Sequence, residues 1–281
     1  MEEAVEANTH RQQLHPSYSY EQFIRALHID ATGATVYRNG FLLDVIETMD
    51  KSASPGGRLP HVVILDEINR TDLSRMLGEC FSLLEDREES IELAGRNEDG
   101  SKVSLRIPDD LYIIGTMNLI DQSVEQIDFA LRRRFLWIAS NFDADAFVSI
   151  AQKRWGALGS RLSWDKIAGD FRRLAQAGVG LNERIHKSPL LGAQYEVGHT
   201  YLLDIVDFLN DALGPNPSRR RTFLYDGSNN PIEPMRRLWR LSLRPLMEQY
   251  LSGLDGPDRD RELTSLGDIF LARREPIDDE G

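Results

Sequence analysis

Two adjacent carboxylates, Asp66 and Glu67, directly follow the apolar run Val62-Val63-Ile64-Leu65. Neither can be hidden unpaired, because burying an isolated charge costs too much. One of them can hold a magnesium ion whose shell is completed by waters and phosphate oxygens. The other, facing the opposite way, can orient or deprotonate a water. Taken by itself, the pair could equally well cap the following turn. Thr116-Met117-Asn118 leaves a second apolar run that starts at Leu111, and Asp121 follows three residues later. An Asn in that place can hydrogen-bond a water or a γ-phosphate, or close an Asx-turn. Arg132, Arg133 and Arg134 are consecutive. They can complement a helix dipole, or one can neutralise charge on a transferring phosphoryl group, worth roughly 10³–10⁵ in rate where an arginine finger is used.

Other chemistries find little support. Cys80 is the single cysteine, on the apolar side of its helical pattern, so it reads as core and no internal disulfide can form. The six histidines, at 10, 15, 28, 61, 186 and 199, contain no HxxxH pair. No serine sits in a G-x-S-x-G turn. Arg219-Arg220-Arg221 reads as a solvated loop, and Arg236, Arg237, Arg240 and Arg244 with Trp239 read as a packing helix. A phosphate loop, G-x-x-x-x-G-K-[ST], is not found: none of the five lysines (51, 102, 153, 166 and 187) follows a glycine.

The elements that must position these groups are legible from residue 61 onward. His61 to Leu65, rich in β-branched residues, reads as a strand buried on both faces. Asp72 to Asp86 keeps helical spacing, with Thr71 as N-cap. Ser90 to Pro108 reads as a hairpin, and Leu111 to Thr116 as a second buried strand. A short helix over Glu125 to Arg133 leads to a third apolar stretch, Phe135 to Ala139. Strand, helix, strand, helix, strand is the grammar of a parallel sheet covered by helices. Beyond Asn141 the pattern becomes helical throughout. The fold class expected is α/β: an incomplete parallel sheet with flanking helices, followed by an all-helical subdomain. The boundaries expected are 1–141, 142–254, and a charged flexible tail over 255–281.

Leu-Asp-Glu-Ile-Asn-Arg (65–70), Gly-Thr-Met-Asn (115–118) and Ala-Leu-Arg-Arg-Arg-Phe (130–135), in that order, resemble the AAA+ NTPases, and within them the McrB-like group of restriction motors. His15-Pro16-Ser17-Tyr18-Ser19-Tyr20, Val197-Gly198-His199-Thr200-Tyr201 and Leu243-Arg244-Pro245-Leu246 are similar to further stretches of that group, so the likeness covers roughly residues 11–252. The resemblance implies Mg²⁺ with ATP or GTP as cofactor. Asp66 would be the Walker B metal ligand, Glu67 the catalytic glutamate and Asn118 the γ-phosphate sensor. Asp121 and His199 would lie near the nucleotide. One of Arg132, Arg133 and Arg134 would reach into the next subunit, with Arg133 or Arg134 favoured. Asn118-Leu119-Ile120-Asp121 departs from the group's usual Asn-Thr-Ala-Asp, which leaves adenine and guanine both open.

The resemblance also implies ring neighbours (the chain itself or a paralogue), a McrC-like nuclease subunit, and DNA only indirectly. In this group the phosphate loop lies upstream of the His-Pro-Ser-Tyr-Ser-Tyr stretch, and fourteen residues precede His15 here. The expectation is an amino-terminally truncated module that is barely active alone. The alternatives are a non-catalytic AAA+-like assembly module, or a MoxR- or dynein-related chaperone ATPase.

Composition agrees with a cytoplasmic globular chain. Of 281 residues, 41% are apolar and 28% charged, enough to bury a core. With 33 Lys and Arg against 45 Asp and Glu the net charge is −12, which argues against a surface devoted to gripping DNA or anionic lipid. No apolar run approaches the ~18 residues of a bilayer span.

Overall fold

The computed structural model describes residues 6–52, 59–96, 100–118, 120, 129–214, 220–254 and 256–275. The chain divides into two compact units, Met1–Ile138 and Ala139–Gly281, each with its own apolar core.

The first unit begins with β1 (Thr9–Gln13), followed by α1 (Tyr20–Phe23), the antiparallel hairpin β2 (Arg25–Ile29) and β3 (Thr35–Asn39), and α2 (Phe41–Ser52). The strand β4 (His61–Asp66) comes next, and a 3-10 turn (Ile68–Arg70) leads into the short helix α3 (Leu73–Leu77). A hairpin, β5 (Ile91–Arg96) with β6 (Lys102–Leu105), precedes β7 (Leu111–Gly115) and α4 (Phe129–Arg132). β1, β4 and β7 form a parallel sheet in that order, with Gln13 beside Asp66 and Leu65 beside Gly115. His61, Val63, Leu65 and Leu111 are buried on one face, over a core that includes Leu14, Phe23, Leu42, Met49, Met76 and Cys80.

Several expectations are corrected here. β4 is not buried on both faces: its opposite face, Val62 and Ile64, is half-exposed, and the neighbouring Tyr112 and Ile114 are 57% and 51% exposed. Among the described residues, the covering layer lies on one side of the sheet only. Phe135 to Ala139 is not a strand. The third strand is instead β1, whose polar sequence Thr-His-Arg-Gln-Gln hides it from any search for apolar runs. The helix expected over Asp72 to Asp86 breaks after one turn, because Gly78 takes φ +53° and a 3-10 stretch (Gly78–Leu84) continues from it. Its cap is Asp72, which accepts the Arg75 N–H at 3.0 Å, while the Thr71 hydroxyl donates to the Tyr18 carbonyl at 2.9 Å.

The second unit is helical: α5 (Ala144–Ala157), α6 (Ala168–His186), α7 (His199–Ala212), α8 (Glu233–Leu238), a π-turn (Trp239–Leu243), α9 (Arg244–Tyr250) and α10 (Gly256–Phe270). Phe147, Phe171, Leu181, Leu202, Leu209 and Met235 are among its buried side chains. α10 replaces most of the expected flexible tail. Leu263, Leu266 and Phe270 recur at three- and four-residue spacing and are buried in this core, although charged neighbours dilute the pattern in sequence. Among the described residues no helix is long and apolar enough to cross a membrane.

Candidate functional site

β4 and β7 run parallel and side by side, so their carboxyl ends open on the same edge, where open α/β sheets bind ligands. The ladder continues past β7: the Thr116 N–H donates to the Leu65 carbonyl and the Ile68 N–H to the Thr116 carbonyl, both at 2.9 Å. Between those two bonds the β4 chain carries two residues, Asp66 and Glu67, against one on its neighbour. Glu67 therefore takes left-handed dihedrals (φ 57°, ψ 51°), an uncommon choice for a residue with a Cβ. The Thr116 hydroxyl binds both carboxylate residues. It donates to Asp66 Oδ1 at 3.1 Å and receives the Glu67 N–H at 3.3 Å. Gly115 is needed at this point, since a Cβ there would meet the Ile68 side chain at 2.9 Å.

Asp66 also accepts a hydrogen bond at Oδ2 from Arg11 Nε of β1. That guanidinium, aided by the Thr116 hydroxyl, holds the carboxyl below the usual Asp range. Glu67 pairs with Arg70 at 2.9 Å. Asn69, buried, donates to the Asn118 carbonyl at 3.0 Å, and the Asn118 side chain accepts the Ile120 N–H at 3.2 Å. Asn118 thus forms the Asx-type contact, held in place by a residue of the Asp-Glu-Ile-Asn stretch. Asp121 lies outside the described residues. Among those residues no three His, Cys, Asp or Glu side chains gather as a metal cage. The carboxylates and hydroxyl at the end of β4 and β7 are hard oxygen donors. They suit a hard divalent cation that keeps waters or phosphate oxygens in its shell.

The three arginines part company. Arg134 is tied to its own unit: its side chain is 9% exposed, pairs with Glu85 at 3.1 Å, donates to the Ala130 carbonyl at 2.8 Å, and lies 4.2 Å from the Phe81 ring centre. Arg132 is exposed over Trp137, at 5.4 Å from the ring centre. Arg133 is exposed and has no ion pair among the described residues. His199 belongs to the second unit. It stacks on Phe142 at 4.9 Å, and its Nε2 lies 2.9–3.0 Å from the Asp143 carbonyl and N–H, so it fastens the entry to α5. Cys80 is buried, and desolvation pushes its thiol up to about 12. In the basic helix, Arg237, Arg240 and Arg244 pair with Asp211, Glu233 and Glu248. Sequence reasoning missed Arg11 and Arg70 as members of the site. Arg11 lies fifty-five residues from its partner, on a strand with no apolar signature.

An acid pair, a hydroxyl and an amide thus stand at the carboxyl edge of a parallel sheet in an α/β unit, followed by an arginine-bearing helix end. Residues 1–135 match the family described as AAA domain (dynein-related subfamily). It is similar to the "Type IV methyl-directed restriction enzyme EcoKMcrB subunit" of Escherichia coli (strain K12), with 27% identity over 264 residues, 91% of this chain and 50% of that protein. The chain therefore spans about half the length of this curated relative. A "putative ATPase" from Cytophaga hutchinsonii, of known structure, aligns with 12% identity over 88% of this chain and 77% of its own, at a TM-score of 0.35. That likeness is too loose to bear on the site.

Proposed function

We propose that the chain contributes one half of an NTP-hydrolysing site to an AAA+ motor-type assembly similar to the methyl-directed restriction subunit. The reading assigns Asp66 to Mg²⁺, Glu67 to the attacking water and Asn118 to the γ-phosphate. Asp121 is proposed to lie near the nucleotide. A bound Mg²⁺ would supply positive charge against the phosphates. The protein's own contribution is orientation. Thr116 fixes Asp66 and the Glu67 backbone, the latter in its left-handed turn. Arg70, 2.9 Å from the Glu67 carboxylate, orients that side chain. Arg133 is the finger candidate, because Arg134 is committed to Glu85 and Phe81. His199, engaged with Phe142 and Asp143, serves the second unit by holding the start of α5. The observation that carries this reading is the convergence of Asp66, Glu67 and Thr116 in one hydrogen-bonded group at the end of two adjacent parallel strands.

By the same likeness, the partners proposed are AAA+ ring neighbours and a McrC-like nuclease subunit, with DNA reached indirectly and the cytoplasm as compartment. The nucleotide is ATP or GTP. Residues 1–281 contain no Gly-Lys-Ser or Gly-Lys-Thr loop. Backbone N–H groups and the loop lysine supply much of the grip on phosphates in such sites. We therefore assign these residues a role in completing a neighbour's site, and little turnover alone. The test is turnover in mixed assemblies. Added to an intact homologue with its own phosphate loop, the chain is expected to change ATP or GTP hydrolysis, and Arg133→Ala to abolish the change. Unaltered turnover with the wild-type chain overturns the proposal. A second reading, an AAA+-like module that acts by assembly alone, is favoured by the same missing loop. The dynein-related description of residues 1–135 keeps a chaperone-type ATPase in view as well.

A further inference from the structure

Arg11 of β1 reaches the acid pair with its side chain, bonding Asp66. It sits in β1 beside Ile64 in the register, and its side chain runs diagonally across the sheet to Asp66. With Thr116 on Oδ1 and Arg11 on Oδ2, each oxygen of this carboxylate already has a donor. The two partners differ in kind. The Thr116 hydroxyl is neutral and can turn its lone pairs toward an incoming cation, whereas a guanidinium carries a fixed positive charge and accepts nothing. A divalent ion binding Asp66 directly meets like charge at Oδ2 and must displace it. The displacement is mechanically easy: the Arg11 side chain is 71% exposed, while Asp66 is 16% exposed and stays with its strand. Exposed pairs of this type hold by only a small margin and release readily.

We infer that Arg11 is a displaceable counter-cation, a latch that occupies the metal-binding oxygen of Asp66 until a divalent ion takes its place. The inference rests on the reading of Asp66 as a metal ligand. It adds a control on that site: the cation must compete with a side chain of the same sheet, so weakly presented metal is refused. A guanidinium that merely steadied β1 against β4 would leave metal affinity untouched.

The experiment is a Mn²⁺ titration of the full chain followed by electron paramagnetic resonance of the free ion, on wild type, Arg11→Gln, Arg11→Ala and Asp66→Asn. Arg11→Gln keeps a polar stem and guards against a folding defect in the alanine variant, with circular dichroism as the control. The expected result is Mn²⁺ binding that Asp66→Asn removes and that both Arg11 variants tighten by about three- to tenfold, the scale of a partly exposed charge contact. Asp66-dependent binding that is unchanged or weaker in both Arg11 variants overturns the latch and leaves Asp66 as the ligand. Binding in every protein that Asp66→Asn does not alter overturns the latch together with the assignment of Asp66.

Discussion

At the scale of single residues, three consecutive arginines divide into different physical roles. A guanidinium against an aromatic face contributes about 0.5–2 kcal/mol depending on how dry the contact is, and the half-exposed pair with Glu85 adds up to about 1 kcal/mol. Arg134→Ala is therefore expected to destabilise the first unit by about 1–2 kcal/mol, lowering its melting midpoint by a few degrees. Arg133→Ala, an exposed position, is expected to leave the midpoint where it is. Thermal melts of the two variants check this; equal midpoints would remove the distinction that makes Arg133 the finger candidate. Glu67 shows a second residue-scale point. Its left-handed backbone costs on the order of 1–3 kcal/mol in a residue with a Cβ, and the two hydrogen bonds through Thr116 on either side of it fix that conformation.

At the scale of elements, the polar strand β1 is held at its start by a pair of imidazoles. His10 of β1 and His61 of β4 stack with ring centres 5.2 Å apart and an Nε2–Nδ1 contact of 2.9 Å. Burial first, and the neighbouring His61 second, lower the His10 pKa below its usual 6.5. The native state therefore binds that proton less readily than the unfolded chain does. The contribution of neutral His10 is fully present above about pH 6.5 and is lost as the pH falls below that value. The melting midpoint of the first unit is expected to drop between about pH 7 and pH 5, and to drop less in His10→Gln. A pH series of melts checks it, and an equal drop in the variant would assign the acid sensitivity elsewhere. α10 teaches the complementary lesson. Its buried face of Leu263, Leu266 and Phe270 is narrow, and charged residues at 258–262 precede it, so composition reads as a tail what packing makes a helix.

At the scale of the whole molecule, the two cores draw on separate stretches of sequence: one from Leu14 to Phe135, the other from Phe142 to Leu271. The segment between them has no regular structure. It exposes Leu136 and Ile138, at 89% and 81%, close to the 138/139 division between the units. Exposed, irregular backbone is where proteases cut first. Brief chymotrypsin treatment is expected to cleave near Leu136 or Trp137 and to give two fragments of nearly equal size. First cuts inside α6 or β4 would contradict the division.

The sequence by itself determined what depends on local pattern and residue type: the apolar strands around residues 61 and 111, the hairpin before the second of them, the helical second half, and the acid pair whose charge forbids burial. The motif order also carried the family resemblance, since spacing along the chain is a one-dimensional property. Tertiary structure alone decided what depends on distant partners. A strand of Thr-His-Arg-Gln-Gln exists because β4 offers it a ladder of hydrogen bonds. Arg11 meets Asp66 only through that ladder, and Arg134 rather than Arg133 is buried because Phe81 and Glu85 lie beside it. Hydrogen-bond pairing and side-chain burial are set by neighbours in space, and no window along the chain contains them.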